Sequence, residues 1–306
     1  MPNTLGHIGG QGAISTIVFR HVDPKWIYLG CLIPDFPWIL LRITRVILPD
    51  LDIYTLRLYF IVMASFFSCL ILCAAISVLT TKFRKVFLIL GINSFIHLVL
   101  DAMQIKWGNG VHLLAPINWN YTRFQLFWPE SIATILLTVL GIIYIAANWQ
   151  KGINMTIPVK SLSRKNMIVF ILIVMGYFVL PYTLIKYPLQ ADNFYIQTLM
   201  NFDDRKGKYI EFDRMNYVPD SDGGILISFA GEEFRAVGIN LDREVTVAVR
   251  ARFISTRRLE VIEYHVLEKG LRDLASYVGI LVILVVWISS FIRSKKSRYL
   301  STISGG

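Results

Sequence analysis

The sequence predicts an α-helical polytopic membrane protein with about five transmembrane helices, a re-entrant or interfacial N-terminal region and a small all-β extramembrane insert. Three observations carry that reading. Hydrophobic residues make up 55% of the chain and charged residues only 17%, with a mean hydropathy of +0.54, more apolar than an ordinary soluble domain. Apolar runs at 58–80, 86–100, 132–147, 167–185 and 274–292 approach the roughly 20 residues that cross a hydrocarbon core. Between the fourth and fifth runs lies a polar segment whose apolar residues repeat with the period of strands.

Taken in order, residues 1–56 mix short apolar stretches with glycine, proline and isolated charges. The start lacks a basic segment followed by an apolar one, so no cleavable signal peptide is expected. Within 26–48, Pro34-Asp35-Phe36-Pro37 cannot continue an ordinary helix, because each proline removes a donor and restricts its predecessor. Irregular backbone at membrane depth must be buried in protein or line a wet cavity. A re-entrant or interfacial segment presenting Asp35 to the bundle fits better than a plain span. Residues 57–186 form the membrane helical core, and 273–306 carry the last span and a basic tail.

The insert, 187–272, reads as β-rich. Val245, Val247 and Val249 alternate with Thr246, Ala248 and Arg250, and Ile225, Ile227 and Phe229 repeat at the same period. Stretches 259–267 and 208–215 are further strand candidates. Four or five strands suit a small barrel or sandwich, with an OB-like barrel among the options.

The formal charge of +10 does not point to nucleic acid, because its placement is topological. Lys82, Arg84 and Lys85 follow the first run; Lys151, Lys160, Arg164 and Lys165 follow the third; Arg293, Lys295, Lys296 and Arg298 follow the last. The positive-inside rule makes those segments and the C-terminus cytoplasmic, leaving 102–131 and the β insert extracytoplasmic. Cys31, Cys69 and Cys73 lie in apolar stretches and read as small buried hydrophobes.

One apolar run ends in His97-Leu-Val-Leu-Asp101. Residues at i and i+4 share a helix face with Cβ atoms roughly 6 Å apart, close enough to hold one metal ion. Ionisable groups inside a span mark a functional site by default. The plainer reading makes Asp101 the first interfacial polar residue and His97 its hydrogen-bond partner. Two other segments offer similar donors: Gly6-His7-Ile8-Gly9-Gly10-Gln11-Gly12, whose glycines allow close backbone packing around the histidine, and Leu29-Gly30-Cys31-Leu32-Ile33-Pro34-Asp35.

The early histidine among glycines, Leu-Gly-x-x-x-Pro-Asp, His-x-x-x-Asp and the Gly108-to-Pro116 loop with Leu-Leu-x-Pro together resemble the YdjM-type inner-membrane metal-dependent hydrolases. That family is distantly similar to zinc-dependent phospholipase C. The resemblance covers roughly residues 1–130 and is most specific over 93–117. It implies that His7, Asp35, His97 and Asp101 are ligands of a divalent metal, with zinc the expected ion, and that the protein resides in a bacterial inner membrane. The family's further block, His-Arg followed by Thr-His-Ser, has no histidine counterpart in 57–66. What remains is a single ion, either activating water or serving structure.

Other polar residues carry two readings each. His112 is a further ligand or proton shuttle, or neither, since the resemblance places no ligand there. Glu130 is a general base, or a carboxylate favouring the N-terminus of the next helix. His21 and Asp23 either reach the site or belong to a capped loop before Trp26. Asp50 and Asp52 read as a solvated link, Asn93 as a partner orienting His97, and His265 as a half-exposed strand residue. Trp107, Trp119, Tyr121, Phe124, Phe127 and Trp128 read as an aromatic belt at headgroup level. The expected function is metal-assisted hydrolysis of a lipid or lipid-linked ester or phosphoester, with water as the nucleophile. The alternative is a non-catalytic membrane scaffold with a structural metal and an insert that binds an envelope protein partner.

Overall fold

In the computed structural model, residues 3–19, 22–154, 163–220, 223–268 and 271–304 are described. Eight helices come first: α1 (Thr4–Val18), α2 (Pro24–Leu32), α3 (Phe36–Ile47), α4 (Ile53–Met63), α5 (Phe66–Val78), α6 (Phe83–Met103), α7 (Ile132–Asn154) and α8 (Arg164–Leu184). Short helices α9 (Lys186–Gln190) and α10 (Ile196–Met200) lead to strands β1 (Tyr209–Val218), β2 (Ile225–Ile227), β3 (Glu233–Val237), β4 (Val245–Ser255) and β5 (Arg258–Leu267). Helix α11 (Leu271–Ser304) follows.

Four helical stretches, Phe83–Met103, Ile132–Asn154, Arg164–Gln190 and Arg272–Ser294, are long and apolar enough to cross a membrane. Counting each bent pair as one span raises the number to six. Helix α6 is the axis: 67% of its apolar window is buried inside the protein, against 11–22% for the other three stretches.

The expected first span, 58–80, is not one straight helix. Helices α4 and α5 meet at 62°. Ser65 caps α5 by accepting from the Ser68 amide, and the Ser65 and Ser68 hydroxyls both donate to the Val62 carbonyl at 2.7 Å. Serine side chains that bond local backbone compete with helix continuation, and here they end one helix and start the next. Helices α2 and α3 form the second bent pair, at 49°, across Pro34 and Asp35.

The glycine-rich N-terminus is itself a helix packed into the bundle. A Cβ on Gly141 of α7 would stand 1.9 Å from the Leu5 carbonyl oxygen, and one on Gly9 would stand 2.3 Å from that of Leu137. The α1–α7 contact is therefore backbone against backbone, the close approach that small residues permit between membrane helices. Gly30 does the same for α2 against α6, where a Cβ would lie 2.6 Å from the Asn93 Cβ.

The strands close into a barrel in the order β1-β2-β3-β5-β4, with β3 and β5 parallel and the other pairs antiparallel. Phe212, Met215, Tyr217, Leu226, Phe234, Val247, Val249 and Phe253 fill its core. Two expectations shift here. The 225–229 alternation is inverted, since Leu226 is buried while Ile225 and Ile227 are only half-buried. Ala248, read as facing away from the core, packs against Trp107 and Leu267. Strand β3 is an addition to the expected strands, although its Glu-Phe-Arg-Ala-Val alternation matches its burial.

The barrel sits on the segment after α6. The Gly108 amide and Arg123 Nη1 donate to Glu211 Oε2 at 2.8 and 2.7 Å, and Arg250 Nε donates to Oε1 at 3.1 Å. Burial pushes the Glu211 pKa up, but the Gly108 amide and the Arg123 guanidinium outweigh it and hold the carboxyl below its usual range. Gly108 has a φ of +67°, and a Cβ there would meet the Glu211 carbonyl oxygen at 2.2 Å, so only glycine fits. This contact corrects the belt reading: Trp107 and Trp119 are buried and Trp128 stacks on His265 at 3.7 Å, while Phe124 is exposed.

The α1–α7 crossing yields a stability test. Gly141→Ala should destabilise the detergent-purified protein by roughly 1–3 kcal/mol, the usual range for overpacking. Gly176→Ala, in α8, where an added methyl would meet nothing within 4 Å, should be neutral or stabilising by about 0.5–1 kcal/mol. Equal thermal shifts for the two variants would contradict the backbone contact.

Candidate metal centre

Each of three elements delivers its part for a local reason. Helix α1 has its N-terminal half buried, and His7 lies on that half with no exposed surface. Asp35 occupies the N-cap position of α3, where an aspartate ordinarily accepts from the first amides. Its carboxylate makes no capping bond and its Oδ1 lies 3.6 Å from His97 Nε2 instead. His97 and Asp101 stand one turn apart near the end of α6, both buried.

The histidine rings stack in parallel, with centroids 3.6 Å apart and planes within 3°. His7 Nε2 lies 3.5 Å from Asp101 Oδ1, and His97 Nε2 lies 3.7 Å from Asp101 Oδ2. His7, His97 and Asp101 each offer a ligand atom within 4.8 Å of the others, a group that can hold a metal ion. Asp35 Oδ1, 3.6 Å from His97 Nε2, lies outside that group of three. The Lys106 ammonium donates to Asp101 Oδ1 at 3.1 Å.

Those separations between the histidines and the carboxylates exceed hydrogen-bonding range. All four imidazole nitrogens of His7 and His97, and Asp35 Oδ1, are buried without a hydrogen-bond partner. An orphaned buried polar atom costs about 1–3 kcal/mol, and a group of them in one place calls for an explanation. A cation supplies one. Ligand atoms about 2.0–2.1 Å from a tetrahedral ion lie about 3.3 Å from each other, close to the 3.5–3.7 Å observed. Mixed imidazole and carboxylate donors suit a hard or borderline divalent ion.

Two cavities flank the cluster. One of about 360 Å³ is lined by Asp101, Lys106 and His112, with Asp213 and Arg214 reaching in from the barrel. The other, about 150 Å³, is lined by Asp35, Thr4, Arg42 and Arg272. Strand β1 reaches the first through an irregularity between Phe212 and Met215, where Arg214 adopts a φ of +63°. Bulges of this kind commonly re-aim side chains beside a site.

The other sequence candidates fall as follows. His112 is buried in the larger cavity, and Asn193 Nδ2 bonds its Nε2 at 2.8 Å while also donating to the Trp119 carbonyl at 2.9 Å. The second bond fixes Nδ2 as a donor, so His112 Nε2 accepts and Nδ1 holds the proton. Glu130 contacts His265 Nε2 and lines neither cavity. Asn93 does not reach His97: it accepts from Ser15 Oγ at 3.0 Å and donates to the Ile89 carbonyl, tying α1 to α6. Asp23 caps α2 and pairs with Lys25, and Asp52 caps α4. His21 lies outside the described residues. Sequence reasoning passed over Lys106, the direct partner of Asp101, and Gln11, whose buried amide also lacks partners one turn beyond His7. Its i+4 spacing from His7 was the available signal.

Compared with family models, curated proteins and solved structures, the chain matches none of them.

Two outcomes test the centre. The purified protein should carry about one divalent ion per chain by elemental analysis, because His7, His97 and Asp101 leave one position of a tetrahedral sphere for a fourth donor. His97→Ala and Asp101→Ala should each lose most of it, with Glu130→Gln unchanged. Full metal content in the two ligand variants would sink the site. Separately, burial lowers the His112 pKa from 6.5 to about 4, partly opposed by Asn193. A group whose folded pKa is depressed stabilises fully above its unfolded value and loses that contribution as pH falls through the folded one. His112→Gln should therefore reduce the loss of thermal stability between pH 6.5 and about 4. An identical pH dependence in both proteins would show that His112 does not titrate this way.

Proposed function

We propose that this protein is a membrane-embedded, metal-dependent hydrolase of lipid-borne or lipid-linked esters or phosphoesters, with zinc as the resident ion. The observation that carries the reading is the convergence of partnerless His7, His97 and Asp35 atoms on Asp101, which lines a charged cavity beside an apolar bundle. The resemblance to YdjM-type hydrolases over residues 1–130 points the same way.

An ion held by these residues would polarise the scissile group and acidify a water molecule. The chain's own contributions are separate. Asp35 and Asp101 supply negative charge, His7 and His97 supply neutral donors, and Lys106 holds Asp101 in orientation through its 3.1 Å bond. Water adds to the phosphorus or acyl carbon, the bond to the departing oxygen breaks, and that oxygen takes up a proton. Lys106 and the Nδ1–H of His112 are proton-bearing groups within the same cavity. The barrel, which we read as OB-like, forms part of the cavity wall through Asp213 and Arg214.

One feature favours a structural ion in a scaffold: the centre joins α1, the α2–α3 turn and α6, three elements an ion would fasten together. The two readings separate on one comparison. Short-chain phospholipids and lipid-linked sugars are incubated with wild type and Asp101→Asn. Hydrolysis should fall by at least about 10²-fold in the variant, since the ion supplies both nucleophile and charge stabilisation. Equal product from both proteins leaves the hydrolase without support, and a variant that only melts earlier favours the scaffold.

We assign the barrel and segment 102–131 to the extracytoplasmic side of a bacterial inner membrane, from the Lys and Arg clusters at 82–85, 151–165 and 293–298. Their mutual contact through Glu211 requires that they share a side. The native cysteines are buried, which gives a low labelling background. An impermeant thiol reagent should label Asp203→Cys in intact cells and spare Lys151→Cys; the reverse pattern inverts the topology.

A further inference from the structure

The larger cavity carries a charge that hydrolysis alone does not require. Six cations line it, Arg42, Arg45, Arg57, Lys106, Arg214 and Arg272, against three carboxylates. Each carboxylate already has a cationic neighbour. Asp101 takes Lys106 at 3.1 Å, Asp213 takes Arg214 at 3.8 Å and Asp273 takes Arg272 at 3.9 Å. Arg42, Arg45 and Arg57 have no carboxylate partner among the described residues.

Arg57 is held in place without being neutralised, while Arg42 and Arg45 are exposed. Arg57 lies over the rings of Phe194 and Phe229, at 4.2 and 3.9 Å from their centroids, and its Nε is buried without a hydrogen-bond partner. Arg42 and Arg45 stand one turn apart on α3, with Arg42 two turns after Asp35 on the same face. The cationic row therefore starts at the centre's own carboxylate, and Arg42 lines both cavities. Arg214 reaches the cavity from a left-handed backbone conformation that costs a non-glycine residue free energy.

Like charges gathered beside apolar helices repel one another unless an anion sits among them. Arginine forks match tetrahedral oxyanions bidentately, a geometry lysine lacks. A carboxylic ester is neutral and needs no such surplus. We propose that this cavity is a phosphate subsite, built by Arg42, Arg45 and Arg57 with Arg214 and Arg272, which seats a phosphate group against Asp101. The inference rests on the hydrolase reading for the chemistry after binding, and it selects phosphoesters over carboxylic esters. The phosphate belongs either to a lipid headgroup or to a free anion.

The test is a binding measurement on the full-length, detergent-purified protein with chelator present, so that turnover plays no part. Inorganic phosphate and dihexanoyl phosphatidic acid are titrated by calorimetry, with dihexanoylglycerol as the uncharged control. Phosphatidic acid should bind at least about tenfold more tightly than dihexanoylglycerol, and Arg42→Gln and Arg45→Gln should each weaken it by roughly tenfold, as expected for lost charge-assisted bonds. Arg42→Lys should recover only part of the loss, and Arg84→Gln, exposed in the first turn of α6 at the end opposite Asp101, should have no effect. Comparable binding of inorganic phosphate identifies a free-anion site; preference for phosphatidic acid identifies a headgroup site. Absence of binding by either probe, or binding indifferent to Arg42→Gln and Arg45→Gln, overturns the subsite. Binding with no hydrolysis of any substrate keeps the subsite and removes the hydrolase; hydrolysis with KM unchanged in the arginine variants does the opposite.

Discussion

Buried polar atoms must be paired, and that constraint organises the molecule. The ring nitrogens of His7 and His97 and one oxygen of Asp35 are enclosed by apolar helices without a hydrogen-bond partner. Any single orphan would be a tolerable defect. Gathered around Asp101 and one another at 3.5–3.7 Å, they are costly together and useful only together. An apolar bundle would fold more readily with leucine at these positions, so the chain gives up stability to keep them.

Glycine makes the gathering possible. The imidazole of His7 reaches α6 because α1 lies backbone to backbone against α7 at Gly9 and Gly141. Asp35 reaches His97 because Gly30 lets α2 approach α6 at Asn93. The Ser15–Asn93 bond then sets the height of α1 along α6. Asn93 thus acts on the centre through helix placement, although it touches neither histidine.

Much of this is legible in the sequence, and the illegible parts share a cause. Hydropathy marks spans, and i, i+4 spacing puts His97 and Asp101 on one face, because both are properties of a single helix. The convergence of His7 and Asp35 on them is not readable from spacing, since long-range packing leaves no periodic trace. The α4–α5 break escapes because hydropathy averages over Ser65 and Ser68, whose hydroxyls do the breaking. The tryptophans read as a headgroup belt because aromatic clustering looks the same whether its partner is lipid or a barrel. Arg42, Arg45 and Arg57 are scattered over separate segments of the sequence, and only the fold turns them into one wall.

The order of the parts along the chain has a consequence for biosynthesis. All four donors lie within the first 101 residues, yet α1 is seated by Gly141 of α7, some forty positions later. A ribosome delivers the chain N-terminus first, so the donors emerge well before the helix that aligns one of them. Any ion that this group holds meets the complete set only once α7 is made. The cavity wall waits longer still, because Arg214 and Arg272 are among the last parts made. A nascent chain therefore passes through a stage in which the histidine–aspartate half is assembled and its cavity remains open. During that stage the partly built centre is exposed to whatever cations its surroundings hold, and the compartment in which α1 docks decides which of them it meets first.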